Sequence, residues 1–547
     1  MINYLVIILF YFVILCAYNY KPHCYYGGGA ARRAELPPPP PPKRCRNAHK
    51  PLCNITSNLP KMCEVPNYRI EKDERLGRYL VANKPLKKGT LVFTDVPFAL
   101  GPKPDSLPVC LGCLGIWNAV YHCSKCGWPC CSAACEEIAS HREYECQVFS
   151  EARAGFHLVD GATKPCLQYD CITPLRVLLA KEKDPSRWEK EVTVMEDHDL
   201  DRKQRISWEV DQINITQYLR GPCKLAERFS ERLIQKVCGI LEVNAVEVPS
   251  QCGPNNRAIY PKVELIVPYP PFATIFLFNF SAEVWVAIDL EEGGKLEMCY
   301  THVLHSTIQR RDFLKLSKFF DCDCTRCADP TEFGTHMGTL KCNQCDTGNV
   351  LPVDPLDKQS VWNCQECNFS TESDTVRKLI SVIQNEISVA EQNAFGPAEI
   401  EQREQAAMWY HNILHQKHSL LTCLRYSLSQ VYGRTTGYML EELSVAMLKR
   451  KVKLCRQVTE VLDVISPGQT RMRGMNLYEM HAPLMILARI EYKDGSINEK
   501  QLKEKMSEIA EMLHESAEIL SREDENSEKG IIGRAAMKSY KELLKTL

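Results

Sequence analysis

The spacing of hydrophobic residues changes several times along the chain, and each change predicts a different kind of element. At 78–82 and 90–95, short runs of branched and aromatic residues lie near glycines, which predicts two strands joined by a turn. Across 172–246 the apolar residues recur at helical spacing, and 224–241 repeats the pattern. The first half of the chain therefore predicts strands followed by a helical insert.

The second half begins with strand-like sequence and ends in helical sequence. The runs FATIFLFNF, EVWVAIDLE and KLEMCY, all between 272 and 300, are rich in aromatic and branched residues and predict strands. From residue 371 to the end, helical spacing continues, with turn signals at 466–468 and 526–527. We expect antiparallel helix pairs here, either as a bundle that caps the protein or as a repeat array that binds a partner.

The first 65 residues have a different composition. An apolar run, YLVIILFYFVILCAY at 4–18, is short for a membrane-spanning helix and lacks the basic residues that open a signal peptide. A membrane anchor, a cleaved segment and an artefact of gene prediction all stay open for it. The prolines at 37–42 predict a stiff, solvated linker, with a ligand for an SH3-type domain as the alternative.

Composition narrows the class of protein. The chain has 547 residues, of which 45% are hydrophobic, and this length predicts roughly three to four domains. A net charge of −1 gives no overall field that would attract nucleic acid or a membrane surface. Half of the 28 cysteines fall into groups spaced as metal ligands, so we expect an intracellular, zinc-rich protein rather than one crosslinked by disulfides.

Between 110 and 146, seven cysteines and one histidine form four closely spaced pairs. Zn²⁺ takes four tetrahedral Cys or His ligands, so four pairs suit two structural ions. A disulfide framework is the alternative, but it does not require paired CxxC spacing. Cys130 lies beside Cys131 and could exchange with it. The pairs are Cys110 with Cys113, Cys123 with Cys126, Cys131 with Cys135, and His141 with Cys146.

Two further cysteine groups follow the predicted strands. One consists of two CxxC pairs separated by eighteen residues and matches a four-cysteine zinc ribbon. The other has three cysteines and is one ligand short of a closed site. The ribbon would use Cys342, Cys345, Cys364 and Cys367, and the shorter group is Cys322, Cys324 and Cys327.

The run CLGCLGIWNAVYHCSKCGWPCCSAACEEIASHREYEC resembles a MYND zinc finger. Together with DCDCTRC, the ribbon and their order, it resembles the SET-and-MYND-domain (SMYD) family of protein-lysine methyltransferases, especially its arthropod branch. The resemblance implies an α+β fold: a split, β-rich SET domain with an inserted finger, a cysteine-rich post-SET segment and a helical, TPR-like carboxyl-terminal domain. In the finger it implies interleaved ligands, with Cys110, Cys113, Cys131 and Cys135 on one ion and Cys123, Cys126, His141 and Cys146 on the other.

The resemblance also implies where each part begins and ends. Ahead of it lie the apolar segment 1–20 and the proline-rich linker 21–65. The remaining parts are the amino-terminal SET part at 66–109, the MYND finger at 110–146, the helical SET insert at 147–246, the SET core at 247–315, the post-SET segment with the ribbon at 316–370, and the helical carboxyl-terminal domain at 371–547.

Members of this family transfer a methyl group from S-adenosylmethionine to a lysine amine, and zinc has only a structural role. By resemblance, Gly77, Arg78 and Tyr79 are the cofactor-binding turn, with a tyrosine in place of the second glycine of the family's Gly-x-Gly. The family's Asn-His-Ser-Cys-x-Pro-Asn motif should begin near Val267, where the chain reads VPYPPFATIFLFNF. That motif is absent. The sequence in its place has three prolines in four positions, and prolines cannot supply the same backbone hydrogen-bond donors.

The third family motif, Gly-Glu-Glu-Leu-x-x-x-Tyr, matches residues 293–300 and makes Tyr300 the candidate catalytic residue. A further tyrosine of some members is missing, with Phe319 and Phe320 near its place. The lost motif cysteine leaves the three-cysteine group incomplete, and Cys252 and Cys299 are the alternatives for its fourth ligand.

Two functions follow. The chain is either a methyltransferase that binds S-adenosylmethionine through a modified pocket, or a noncatalytic scaffold. We expect two zinc ions in the finger and one or two in the post-SET region. Expected partners are proteins, with proline-rich peptides at the finger, and a membrane takes part only if 4–18 is an anchor. The sequence does not distinguish cytoplasm from nucleus.

Overall fold

The computed structural model describes most of the chain after the proline-rich linker. The apolar run and the proline run predicted in the first 65 residues lie outside the described residues. Within the described ranges, no helix combines the length and the apolar character needed to cross a membrane. These ranges are 66–104, 106–117, 119–157, 165–250, 253–268, 273–278, 280–393 and 395–546.

The strands predicted at 78–82 and 90–95 are both present, each within one residue of the prediction, but they do not pair with each other. They are β2 and β3 of a series: β1 (Tyr68–Asp73), β2 (Gly77–Ala82), β3 (Leu91–Asp95) and β4 (Ala99–Pro102). β2 pairs antiparallel with β1, whereas β3 pairs with a strand almost two hundred residues later. Sequence spacing located the strands but not their partners.

Two three-stranded sheets form the β-rich part. One has the order β4-β6-β5, and the other has the order β3-β8-β7. Their later strands are β5 (Val246–Val248), β6 (Asn256–Ile259), β7 (Ala273–Phe278) and β8 (Ser281–Val286). The prediction of a strand at KLEMCY, residues 295–300, is wrong. That segment makes only single bridges, of Lys295 with Val81 and of Glu297 with Val267, and these run in opposite senses, so no ladder develops.

Helices fill the insert and the carboxyl-terminal half. The long ones are α1 (Glu145–Ala152), α2 (Ile172–Lys183), α3 (Glu231–Asn244), α4 (Thr307–Ser317), α5 (Ser373–Asn393), α6 (Pro397–Tyr410), α7 (Ser419–Val431), α8 (Val445–Ile465), α9 (Arg471–Lys493), α10 (Glu499–Leu520) and α11 (Glu528–Leu544). Shorter turns include Ala133–Glu136, Ala139–Arg142, Ile206–Asp211 and Val263–Leu265. Between α4 and α5, the ribbon forms a small sheet from β9 (Leu340–Lys341), β10 (Asn349–Pro352), β11 (Trp362–Cys364) and β12 (Ser370–Thr371).

The carboxyl-terminal helices pack as the predicted antiparallel pairs. Along α8 and α9, Arg473 pairs with Asp463 near one end, and Lys451 pairs with Glu479 farther along. The second pair is buried, and the Lys451 Nζ also donates to two backbone carbonyls. A buried lysine needs such partners because an unpaired charge in the interior is costly.

The same helices cover the β7–β8 hairpin. The ring of Phe276 is fully buried in one cluster with Met475, Ile519 and Leu520. Arg471 of α9 donates from Nη2 to the carbonyl of Ile275 at 3.0 Å. The carboxyl-terminal helices are therefore packed directly on the β-rich part.

Candidate functional site

The first finger cluster brings together Cys110, Cys113, Cys131 and Cys135, whose sulfur atoms all lie within 4.8 Å of one another. The Sγ atoms of Cys113 and Cys131 are 3.8 Å apart. Zinc–sulfur bonds of about 2.3 Å in a tetrahedron place ligand atoms about 3.8 Å apart. This donor set therefore fits a zinc ion in both chemistry and spacing.

The second finger cluster brings together Cys123, Cys126, His141 and Cys146, all buried. The Sγ atoms of Cys123 and Cys146 are 3.7 Å apart, and the Cys126 Sγ lies 3.7 Å from the His141 Nε2. The ligand atom of the histidine is thus Nε2, which leaves Nδ1 for another partner. The pairs interleave along the chain in the arrangement that the family resemblance implies.

A buried chain of hydrogen bonds holds the ligand histidine in place. The His141 Nδ1 lies 2.9 Å from the Glu145 Oε1, and Arg176 of α2 binds the same carboxylate from Nε at 2.9 Å and Nη2 at 2.6 Å. Burial acts to raise the pKa of Glu145, but the Arg176 charge and the His141 hydrogen bond hold it below its ordinary value. A carboxylate in this position fixes the ring orientation of a metal-binding histidine.

Arg176 also connects the finger to the β-rich part. Its Nη1 donates to the carbonyl of Leu100 in β4 at 2.9 Å, and its Nη2 donates to the carbonyl of Leu111 in the finger at 2.7 Å. The side chain is 2% exposed and the Glu145 side chain is fully buried. One guanidinium therefore joins a strand, a zinc knuckle and the carboxylate that orients a ligand.

Cys130 stays outside both finger clusters. It is fully buried in the apolar core, whereas its neighbour Cys131 contributes to the first cluster. The backbone of Cys131 also donates to the Cys110 Sγ at 3.2 Å. The two adjacent cysteines thus have different roles: one packs in the core and the other lies among the candidate ligands.

The ribbon cysteines form a third four-sulfur cluster of Cys342, Cys345, Cys364 and Cys367. The Sγ atoms of Cys342 and Cys367 are 3.7 Å apart, as are those of Cys345 and Cys364. Gly348 lies against this group, because a Cβ added there would lie 2.3 Å from the Cys364 Sγ. The ribbon therefore requires glycine at this position.

Cys322, Cys324 and Cys327 gather as a group of three, and no fourth ligand joins them within the described ranges. Cys252 lies outside those ranges. Cys299, the other alternative, is separated from the group by Arg310, whose Nη1 donates to the Cys299 Sγ at 3.1 Å and whose Nη2 donates to the Cys324 Sγ at 3.7 Å. This set supplies three zinc ligands, with a guanidinium beside them.

The predicted cofactor turn, Gly77 to Tyr79, lies at the start of β2. Gly77 adopts φ +69°, which glycine permits, and Arg78 reaches the carbonyl of Lys190 at 3.5 Å. Tyr79 is only 8% exposed and lies in one apolar cluster with Val81 and Val267. Tyr79 replaces the second glycine of the family turn, and Val267 stands where the missing asparagine motif should begin. The two altered motif positions therefore meet in space.

Tyr300 lies at the end of the KLEMCY segment, partly buried. Its hydroxyl donates to the carbonyl of Ile266 at 2.5 Å, one residue before the lost motif. The Lys318 Nζ lies 5.6 Å from the centre of its ring and donates to the carbonyl of Val243. Burial, followed by the charge of Glu264, raises the pKa of Tyr300 above its ordinary value.

Glu264 should make stability depend on pH. Burial raises its pKa to about 7, against a smaller lowering by Lys318. A carboxyl whose pKa is higher in the folded state contributes stability below its unfolded pKa and loses it as pH rises to the folded value. We expect the free energy of unfolding of wild type to fall between about pH 4 and pH 7 relative to Glu264→Gln, by about 1–2 kcal/mol.

The measurement is urea unfolding of both proteins at several pH values in that window. Glu283→Gln, a change on the partly exposed face of β8, is the matched control and should follow the wild-type curve. Parallel curves for wild type and Glu264→Gln would contradict the expectation.

Four residues of this region were missed by sequence reasoning. Glu145 had a usable signal, because it follows the ligand His141 by four residues and metal-binding histidines commonly pair with a carboxylate. Arg176, Glu264 and Lys318 had none, since each reaches its partners from a distant part of the chain.

Among known proteins, the chain is similar to SET-domain proteins and to a histone-lysine methyltransferase. No family model matches the chain. SET domain-containing protein SmydA-8 of Drosophila melanogaster is 27% identical in isoform A over 318 residues, 56% of this chain and 65% of that protein. Isoform B is 27% identical over 330 residues, 56% of this chain and 67% of that protein. The chain thus spans about two thirds of the length of these fly relatives.

A plant protein and a solved structure extend the comparison. Histone-lysine N-methyltransferase ASHR1 of Arabidopsis thaliana is 23% identical over 428 residues, 74% of this chain and 83% of that protein. The crystal structure of the SET domain of LSMT bound to lysine and AdoHcy is 15% identical and covers 88% of this chain and 89% of that one. The TM-score of this comparison is 0.23.

Proposed function

The chain is a SMYD-type SET-domain protein of the protein-lysine methyltransferase family, and we propose that it acts as a noncatalytic, zinc-dependent protein-interaction scaffold. In this proposal the finger and the carboxyl-terminal helices bind partner proteins. The β-rich part joins these two binding regions and does not transfer methyl groups.

The observation that carries the proposal is the cluster of Tyr79 and Val267. In the family, the turn at the first position and the motif at the second leave room and supply donors for S-adenosylmethionine. Here both positions carry buried apolar surface that packs together with Val81. The residues present do not fit that cofactor.

The loss of rate expected from the altered motifs supports the same conclusion. Removing one preorganised donor from an active site costs on the order of a hundredfold in rate. Two of the three motifs are altered here, and the asparagine–histidine pair of the second is missing from the sequence. Losses of that size in series leave little catalysis.

A second candidate is weak lysine methyltransferase activity centred on Tyr300. The observation in its favour is the short hydrogen bond from the Tyr300 hydroxyl to the Ile266 carbonyl, which fixes the phenol beside the lost motif. A fixed phenol oxygen could orient an amine. Without a fitting cofactor site this group alone does not support turnover.

Two surfaces support the scaffold proposal. Ile116 in the finger is 66% exposed, and Met408 and Trp409 at the end of α6 are 74% and 65% exposed. Contiguous exposed apolar side chains mark partner-binding surfaces, and Met408 and Trp409 are neighbours on α6. We assign proline-rich peptides to the finger and protein partners to the helices. Cysteines grouped as candidate zinc ligands support an intracellular location, in cytoplasm, nucleus or both.

Calorimetry tests the proposal directly. We expect S-adenosylmethionine to give no saturable isotherm with the zinc-loaded protein, because Tyr79 and Val267 are buried apolar side chains at the two positions where the family's motifs contact the cofactor. Full zinc content and a cooperative melting transition serve as the control for a folded sample. A micromolar isotherm would overturn the scaffold, and Tyr300→Phe would then be expected to abolish methyl transfer.

A further inference from the structure

A positively charged side chain of the chain itself reaches the candidate amine site. Lys318 follows α4 directly, and its Nζ lies 5.6 Å from the centre of the Tyr300 ring. The same nitrogen donates to the carbonyl of Val243 at the end of α3. An aromatic face and a backbone carbonyl are the groups that would receive an ammonium in a narrow channel.

The Lys318 charge lowers the pKa of Glu264 against the larger effect of burial. The contacts of the Lys318 ammonium itself are with the Tyr300 ring and the Val243 carbonyl. An aromatic face and a carbonyl together are complementary to one ammonium group.

The backbone beyond Lys318 is held in an unfavourable conformation that keeps this arrangement. Phe319 adopts φ +63°, which costs a non-glycine residue on the order of 1 kcal/mol or more. The His198 ring stacks on the Phe319 ring, with the two ring centres 4.8 Å apart. The Arg205 guanidinium lies 3.7 Å from the centre of the Phe319 ring and donates hydrogen bonds to the carbonyls of Lys315 and Leu316 at the end of α4. Residues of the insert thus fix the turn that directs Lys318 inward.

We propose that Lys318 is an internal occupant of the amine subsite beside Tyr300, where the chain's own ammonium group takes the position of a substrate lysine. The inference deepens the proposed function by giving a second reason for the loss of turnover, and it rests on the match of residues 293–300 to the family motif for the identity of the subsite. A substrate amine cannot enter while Lys318 is in place. The fixed positive charge also disfavours a methyl donor that is itself a cation.

Chemical rescue tests the occupancy without any cofactor. Lys318→Ala removes three carbons and the ammonium of the side chain, which n-propylammonium reproduces. We expect n-propylammonium to raise the melting temperature of Lys318→Ala by about 2 °C at saturation, with no effect on wild type or on Lys315→Ala. Lys315 is the matched control because it lies one turn earlier and pairs with Asp321 at the surface. Neutral 1-propanol should have a smaller effect than the amine.

An identical response of the three proteins, or none in Lys318→Ala, would overturn the inference. If Lys318→Ala does not fold, reductive methylation of wild type with peptide mass spectrometry decides the question. Lys318 should then react on the order of tenfold more slowly than Lys315, because its amine is held in the structure, and equal rates would count against it. Neither experiment uses S-adenosylmethionine, so their failure is distinct from failure of the proposed function.

Discussion

Arg176→Ala is expected to lower the free energy of unfolding by about 3–5 kcal/mol, because it leaves the buried carboxylate of Glu145 without its cation. The side chain makes hydrogen bonds to Glu145, to the carbonyl of Leu100 and to the carbonyl of Leu111. Its removal also leaves both carbonyls without this donor. Denaturant unfolding monitored by circular dichroism measures the loss.

The control is Arg228→Ala. Arg228 also forms two hydrogen bonds with a glutamate, Glu182, but both side chains are more than one third exposed. Exposed pairs contribute about 0–1 kcal/mol. Equal losses for the two variants would show that Arg176 does not act through a buried carboxylate.

Cys131→Ala should remove one zinc ion per chain, whereas Cys130→Ala should not. Cys131 is one of four sulfur atoms in the first finger cluster, and its neighbour lies in the apolar core. Structural zinc contributes about 10–16 kcal/mol to the folding of small zinc domains, so the loss of one ligand should unfold the part of the finger around that cluster. Elemental analysis and the near-ultraviolet spectrum report the two effects.

Cys130→Ala is expected to keep its zinc and to lose about 1 kcal/mol or more of stability from the small cavity. Chelation of wild type should reproduce the spectral change of Cys131→Ala in larger form. Full zinc content in Cys131→Ala would contradict the assignment of this cluster, and so would an unchanged spectrum after chelation.

The metal clusters could be predicted from sequence because their signal is local. A CxxC turn fixes two ligands within four residues, so spacing alone locates Cys342 with Cys345 and Cys364 with Cys367. The strands at 78–82 and 90–95 were found for a similar reason, since a run of branched and aromatic residues near glycines is a property of neighbouring residues. Their pairing is long-range, and no pattern within either strand indicates it.

The candidate catalytic region was less predictable. The loss of the family motifs could be read from the sequence, but the packing of Tyr79 with Val267 joins positions almost two hundred residues apart. The sequence around Lys318 carries no motif that singles it out. Its role depends on the turn at Phe319 and on Val243 of another helix, and neither contact leaves a mark in the local sequence.

The docking of the carboxyl-terminal helices has a consequence for the solubility of shortened forms. β7 is the outermost strand of its sheet, and Arg471 caps its carbonyl at Ile275 while Phe276 lies beneath α10. A form that ends before these helices would expose an unpaired edge strand next to solvent-exposed aromatic surface. Edge strands of this kind pair with strands of other molecules, so loss of the helical half would favour aggregation.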